Sequence, residues 1–206
     1  MADQPATNVE RREEKRLINR ARRGDEQALR RLIDAHKDRL YAFIRRMIRS
    51  HHDAEDIAQD TFLKAFASLD TFSTDFRFST WLFTIGYRLC LNAMRRRQSL
   101  TGEIDLGRIS DDRPDGEHLA AESDEAKHLR LIVWNAVDRL SPPQRATVIL
   151  FYRHGVGCQE IAQVLELPVA TVKSHLHRAR ARLKEYLQPY VSSETSKLRI
   201  LAGLAG

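Results

Sequence analysis

The stretch from Cys158 to Leu183 leaves this chain little conformational choice: it encodes a short helix, a tight turn and a second helix rich in basic residues. In the second helix Val172, Leu176, Ala179, Leu183 and Tyr186 recur at alternating spacings of four and three, which is a single helical stripe. The opposite face carries Ala170, Lys173, Ser174, His177 and Arg178, flanked by Arg180 and Arg182. Ile161, Ala162 and Leu165, with Leu167 in the turn, supply the apolar partner surface, and Pro168 ends the first helix near Leu167. This is the geometry that lays one helix in the major groove of DNA. Lys and Arg reach phosphates or guanine acceptors, and Ser and His serve base edges or phosphates. The bland alternative is a solvated basic face on an ordinary helical hairpin.

The rest of the chain is consistent with a polyanionic partner. Its 206 residues carry a formal net charge of +6, with a pI near 9.6. Glycine and proline are sparse and helical periodicities dominate, so an all-α protein of two helical domains is expected. No apolar run approaches the roughly 20 residues of a membrane span, so no direct membrane insertion is expected. The N-terminus is polar and charged, unlike a signal peptide, and Cys90 and Cys158 stand far apart as expected free thiols. A reducing, cytoplasmic location is the simplest expectation.

Residues 10–97 read as one helical domain and 127–190 as a second. Between them, 98–126 is strongly acidic, with glycines, Pro114 and no aromatic residue, which predicts a flexible acidic linker. Residues 191–206 read as a tail. The first domain offers helices near Glu10–Arg23, Glu26–Arg49, Ala54–Ser68 and Phe76–Arg97, with Asp25 and Asp53 as expected N-caps. Leu29, Leu32, Ile33, His36, Leu40, Phe43, Ile44 and Met47 are the expected core stripe of the second helix. His36 reads there as a satisfied interior polar group. On the third helix, Ala58, Phe62, Ala65 and Leu69 are expected inside, and Asp56, Gln59, Asp60 and Leu63 share another face. Acidic groups around an exposed leucine suit a basic protein partner, although the residues by themselves favour a routine solvated face with a dipole-favoured N-terminus.

The fourth helix has no acidic residue. Leu82, Ile85, Leu89 and Ala93 are its expected core stripe; Arg77, Thr84, Arg88 and Arg95 share another face with Trp81 at its margin. Basic groups beside Phe72, Phe76, Phe78, Trp81 and Tyr87 suit single-stranded DNA, where charge follows the backbone and rings stack on bases. The Asp70–Asp75 loop, with Phe72, Ser73 and Thr74, offers a pocket for an extruded base. For most of these aromatics the core is the favoured place, with Trp81 and Phe76 the exceptions.

Three motifs resemble one family. Asp53 to Phe62 is similar to region 2.2 of bacterial sigma factors, Phe78 to Ile85 with Asn92 to Arg97 to regions 2.3 and 2.4, and Leu140 to Leu150 with the helix-turn-helix to region 4. With two modules and a short linker, the chain resembles the extracytoplasmic-function (ECF) group, over about Glu10 to Leu187. The resemblance implies a fold of sigma region 2 and sigma region 4. It also implies a function: a sigma factor that binds core RNA polymerase and directs promoter-specific initiation.

The implied roles fall on matching positions. Asp53, Asp56, Gln59, Asp60 and Leu63 would dock on the β′ clamp helices of core polymerase. Phe72, Ser73, Thr74, Phe76, Arg77, Trp81, Thr84, Arg88 and Arg95 would bind and open the −10 element. Thr171, Lys173, Ser174, His175, His177, Arg178 and Arg180 would read the −35 element. Val148, Leu150 and Phe151 would face the β flap, and the acidic linker would occupy the polymerase's RNA path. An anti-sigma factor is a further partner the family implies.

Four departures from the family pattern matter. Glu166 stands where glycine is common at the positive-φ turn position, and Ala170 and His175 stand where glycine and arginine are common. Leu82 follows Trp81 where primary sigma factors have a second tryptophan, which predicts weaker melting and stricter promoter choice. The rival reading is a two-domain helix-turn-helix regulator that works without polymerase. No enzymatic motif, cofactor signature or standard zinc spacing appears; His51, His52, His154, His175, His177 and Cys158 match no usual metal pattern.

Overall fold

The computed structural model describes residues 8–101 and 124–190. The segment assigned to the acidic linker and that assigned to the tail therefore lie largely outside the described residues. Among the described residues all regular structure is helical, in two compact units whose main division falls after Arg97.

The N-terminal unit contains α1 (Asn8–Arg22), α2 (Glu26–Met47), α3 (His51–Ala67), a single 3-10 turn (Leu69–Thr71) and α4 (Phe78–Thr101). The α1–α2 corner follows directly from the sequence. Gly24 adopts φ +82°, letting its N–H bond Ala21 O at 2.9 Å and the Asp25 N–H bond Arg20 O at 3.2 Å. Asp25 then caps α2: its carboxylate accepts from Ala28 N at 3.1 Å and from Arg20 Nε at 2.8 Å. Those donors hold the Asp25 carboxyl below its ordinary range, the Ala28 N–H first and Arg20 second.

The core of this unit contains Ile18, Leu32, Leu40, Phe43, Ile44, Met47, Ile57, Phe62, Phe78, Leu82 and Phe83. Phe43 meets Phe83 edge-on with centroids 5.2 Å apart. Of the expected α2 stripe, Leu29 and Ile33 are only half-buried, while Ala28 is buried instead. His36 is an interior polar group, with Nε2 3.1 Å from Glu14 Oε1 and its ring against Phe78. At Gly86 three helices meet: an added Cβ would lie 3.2 Å from Leu40 Cδ1, 3.5 Å from Ile44 Cδ1 and 3.5 Å from Thr61 Oγ1.

Some sequence expectations shift. The N-cap of α3 is Ser50, whose hydroxyl accepts from Asp53 N at 3.2 Å; Asp53 lies in the first turn, where the helix dipole favours it. In α3 the buried residues are Ala54, Ile57, Thr61, Phe62 and Ala65, and Ala58 is half-buried. Helix α4 begins at Phe78 rather than Phe76 and continues past the arginine triplet to Thr101, so Gln98–Thr101 is helix rather than linker. Its buried face is turned from the expected stripe: Phe78, Leu82, Phe83, Gly86, Tyr87 and Cys90 are inside, whereas Ile85, Leu89 and Ala93 are half-buried. Phe83 and Tyr87 offer more apolar surface than Leu89 and Ala93, and Gly86 between them permits close approach.

The C-terminal unit contains α5 (Asp124–Asp138), α6 (Pro142–Val148) continuing as a π turn (Ile149–Arg153), α7 (Cys158–Leu165) and α8 (Val169–Leu187), with a closing 3-10 turn at Gln188–Tyr190. The start of α5 at Asp124 takes it into the last residues assigned to the linker. Ser141 precedes Pro142 at the first position of α6, where a missing N–H costs nothing. Val133, Val137, Leu140, Val148, Ile149, Leu150, Ile161, Val172, Leu176, Ala179 and Leu183 are buried. Arg145 is buried too; its guanidinium donates to the Asp138 carbonyl and lies 3.8 Å from the Asp138 carboxylate. The helix-turn-helix turn is a Schellman closure: Glu166 N bonds Gln163 O at 3.3 Å and Leu167 N bonds Ala162 O at 3.0 Å. The residue in the left-handed region is Glu166, at φ +55°.

Candidate nucleic-acid and protein interfaces

Helix α3 sorts its residues cleanly. Asp53, Asp56, Gln59, Asp60 and Leu63 are all exposed. Leu63 is 67% exposed, the most open of the large apolar side chains among the described residues. Asp56 sits 3.1 Å from His52 Nδ1 one turn earlier. A bond to its own backbone, then the Asp56 charge, raises the His52 pKa above 6.5. The result is an apolar knob amid carboxylates on the solvent side of a packed helix, a form suited to a groove with basic walls.

The segment before α4 pairs a fixed root with an open tip. Phe72 is buried at 5% exposure, its ring 4.9 Å from Trp81 and 5.6 Å from Phe78. Trp81 is half-buried and also packs 5.7 Å from Phe78. Beyond this cluster Ser73, Asp75 and Phe76 are exposed, Phe76 at 53%. The Ser73 hydroxyl donates to Asp75 Oδ2 at 3.0 Å and Phe76 N bonds Ser73 O at 3.3 Å, so the tip is a tight local turn. Thr74 and Arg77 are half-buried.

On α4, the half-buried Thr84 donates to Thr80 O at 3.0 Å, Arg88 is exposed, and exposed Arg95 donates to Asn92 Oδ1 at 2.8 Å. Phe72 is thus held in packing, while Phe76 is exposed and Trp81 half-exposed. Leu82 is core at 1% exposure, as the stripe predicts, so a tryptophan there would overpack rather than add an exposed ring for melting.

On α8, Lys173, His177 and Arg178 are exposed and Ser174 and Thr171 half-buried, as the period implies. Arg178 donates to Ser174 Oγ through Nε at 3.1 Å and Nη2 at 2.7 Å, leaving the guanidinium on the outer face. His175 is half-buried, and its Nδ1 is enclosed without a hydrogen-bond partner. Burial first, and the Arg178 charge second, hold its pKa below 6.5. The imidazole is thereby biased toward its neutral form. Arg180 behaves differently from its neighbours: Nε donates to the Tyr152 hydroxyl at 2.7 Å, and the guanidinium lies over the Tyr152 and Phe151 rings at 5.8 and 5.9 Å.

Of the residues expected to face the β flap, Val148 and Leu150 are fully buried and belong to the core; only Phe151 is half-exposed, edge-on to Tyr152. A helical patch cannot offer residues two apart on one side, since they diverge by about 200°. Two exposed apolar residues escaped the sequence reading, Leu131 on α5 and Tyr190 at the end of the closing turn. Cys90 is wholly buried, which pushes its thiol pKa far up, and Cys158 is half-buried. Among the described residues no group of three or more His, Cys, Asp or Glu is placed to hold a metal ion. No helix among them is long and apolar enough to cross a membrane.

Comparison with known proteins agrees with this layout. The model of Sigma-70 region 2 matches residues 32–100, and that of Sigma-70 region 4 matches residues 130–183. The ECF RNA polymerase sigma factor SigW of Bacillus subtilis (strain 168) is 30% identical over 84% of this chain and 96% of its own length. Among solved structures, RpoE from Bartonella quintana in complex with the anti-sigma factor NepR superposes with a TM-score of 0.63 at 28% identity, covering 77% of this chain and 96% of that one. CnrH in complex with the cytosolic domain of CnrY gives 0.64 at 26% identity, covering 85% and 97%.

Proposed function

The chain belongs to the ECF RNA polymerase sigma factors, and from that premise we propose how its own residues divide the work. As a sigma factor it is not an enzyme; it binds core RNA polymerase and directs promoter-specific initiation. We assign residues 10–97 to core docking and the −10 element, and 127–190 to the −35 element, with the segment between as the connecting linker. A cytoplasmic location follows from acting on the transcription machinery.

The exposed α3 face of Asp53, Asp56, Gln59, Asp60 and Leu63 docks on the β′ clamp helices. Phe76, Ser73 and Thr74 at the loop tip, with Trp81, Arg77, Thr84, Arg88 and Arg95 along α4, engage the opened −10 strand. Phe72 contributes by holding that loop from beneath. Lys173, Ser174, His177 and Arg178 enter the major groove at −35, with Thr171 beside the phosphates at the start of α8. Of the flap-facing set only Phe151 is retained. The complex of RpoE with the anti-sigma factor NepR supports an anti-sigma partner for this chain as well.

The observation that carries this assignment is the sorting of α8: Val172, Leu176, Ala179 and Leu183 are buried while Lys173, His177 and Arg178 are exposed, so the basic face is free to meet DNA. The two units are linked, so polymerase can set their spacing and let two weak contacts add through effective concentration. Run-off transcription with purified core polymerase on a promoter library tests the assignment. Transcripts should require the chain and map to promoters that share two spaced elements. Absence of chain-dependent transcripts, or selection of one element alone, would refute it.

A further inference from the structure

We propose that Arg22, at the end of α1, is a positioning residue for −10 recognition, clamping the root of the loop whose tip meets the opened strand. The proposal rests on the assignment of that loop to the −10 element given above. The Leu69–Thr71 turn is a single turn, closed along the backbone by the Thr71 N–H to Ser68 O and Phe72 N–H to Leu69 O bonds and by the Thr71 hydroxyl on Ser68 O at 2.7 Å. Arg22 braces it from outside. Its Nε donates to Leu69 O at 3.1 Å, its Nη2 donates to Phe72 O, and its Nη1 reaches Asn19 Oδ1 at 3.4 Å. All three guanidinium nitrogens are therefore engaged, two of them on carbonyls three residues apart that end the turn.

The clamp has a rigid base. Gly24 and Asp25 lock the α1–α2 corner immediately after Arg22, and Arg20 ties Asp25 at 2.8 Å. From the other side the Phe72 ring is packed against Phe78 and Trp81. The backbone of Phe72 is thus fixed at its carbonyl by Arg22 and at its ring by the aromatic cluster. It leaves this point extended, at φ −69° and ψ 124°, into exposed Ser73 and the Ser73–Phe76 turn. Where Phe76 and Ser73 stand relative to Trp81 is therefore set by a residue about 50 positions earlier that touches no DNA itself. A lysine cannot replace it, because one ammonium on a flexible stem lacks the planar fork that spans two carbonyls.

The test uses full-length Arg22→Gln, Arg22→Lys and Arg22→Ala with core polymerase, scored on promoters carrying single substitutions across the −10 element. Core association and preference at −35 should stay within about twofold of wild type, while the ratio of open complex on the best to substituted −10 sequences falls about five- to tenfold, the scale of one ordinary hydrogen bond. Amide hydrogen exchange of Phe72 to Phe76 should accelerate by a similar factor with α3 and α4 unchanged, which separates a misplaced loop from general unfolding. Lys should restore neither readout. Retained −10 discrimination in Arg22→Gln, or full rescue by Lys, overturns the clamp while leaving the loop's assignment intact. A wild-type holoenzyme indifferent to −10 sequence overturns both.

Discussion

Arg180 on the recognition helix donates to the hydroxyl of Tyr152 at 2.7 Å, so a residue that periodicity places beside the DNA-facing stripe is turned onto an aromatic bracket. With its guanidinium also over the Phe151 and Tyr152 rings, Arg180 braces α8 against the π turn. Replacing Arg180 by Ala should lower stability by about 0.5–1.5 kcal/mol, the range of a cation–π contact with one hydrogen bond, and leave base preference at −35 unaltered. Arg178→Ala should do the reverse. Its loss should relax discrimination at one −35 position by about 1–3 kcal/mol with little change in stability. Denaturant unfolding and binding to a panel of −35 variants, each protein in holoenzyme, separate the two.

On the α3 face the apolar knob and the carboxylates contribute differently. Leu63→Ala removes an exposed side chain, so the melting temperature should hold while core affinity drops by about 1–2 kcal/mol, as for a modest interface hot spot. Asp60→Arg should slow association and weaken its salt dependence, because rim charges act mainly on the encounter rate. Surface-bound core polymerase with each variant in solution gives both rates.

Two turns of this chain adopt the same closure with different residues in the left-handed position: Gly24 at φ +82° and Glu166 at φ +55°. A side chain there costs about 1–2 kcal/mol, partly offset because glycine loses more entropy on folding. Glu166→Gly should therefore stabilise the C-terminal unit by up to about 1 kcal/mol. Trp134 is buried in α5, so its fluorescence in a Trp81→Phe background follows that unit through a urea titration.

His175 gives the C-terminal unit a defined pH response. Its folded pKa lies below the ordinary 6.5, so the unfolded chain takes up the proton first. The contribution of the neutral ring is complete above about pH 6.5 and is lost as the pH falls through the folded value. Stability should therefore decline below pH 6.5 more steeply in the wild type than in His175→Asn. Urea midpoints of both proteins between pH 7 and pH 5 measure the difference.

How far the sequence alone reached depended on whether a feature was local. The α8 stripe, the Gly24–Asp25 corner and the exposed Leu63 face were legible because each is fixed within one or two helical turns. The buried face of α4 was not: two apolar stripes ran along it, and the choice was made by Leu40, Ile44 and Thr61 closing on Gly86 from other helices. The same reason hid the roles of Phe72, Val148 and Leu150, apolar residues whose burial is decided by tertiary partners, whereas Leu82 is core as its stripe predicts. Tyr152 lies 28 positions from Arg180 and Arg22 lies 47 from Leu69, so no spacing rule could pair them.

These two helical units should recognise promoters only through polymerase. The most direct test is binding to one double-stranded promoter carrying both elements, measured for the free chain and for the chain with core polymerase across a salt series. The free chain should bind weakly and without selectivity, and the holoenzyme tightly, requiring both elements and weakening steeply with salt. Tight, sequence-selective binding of the same duplex by the free chain, unchanged when core polymerase is added, would contradict this dependence.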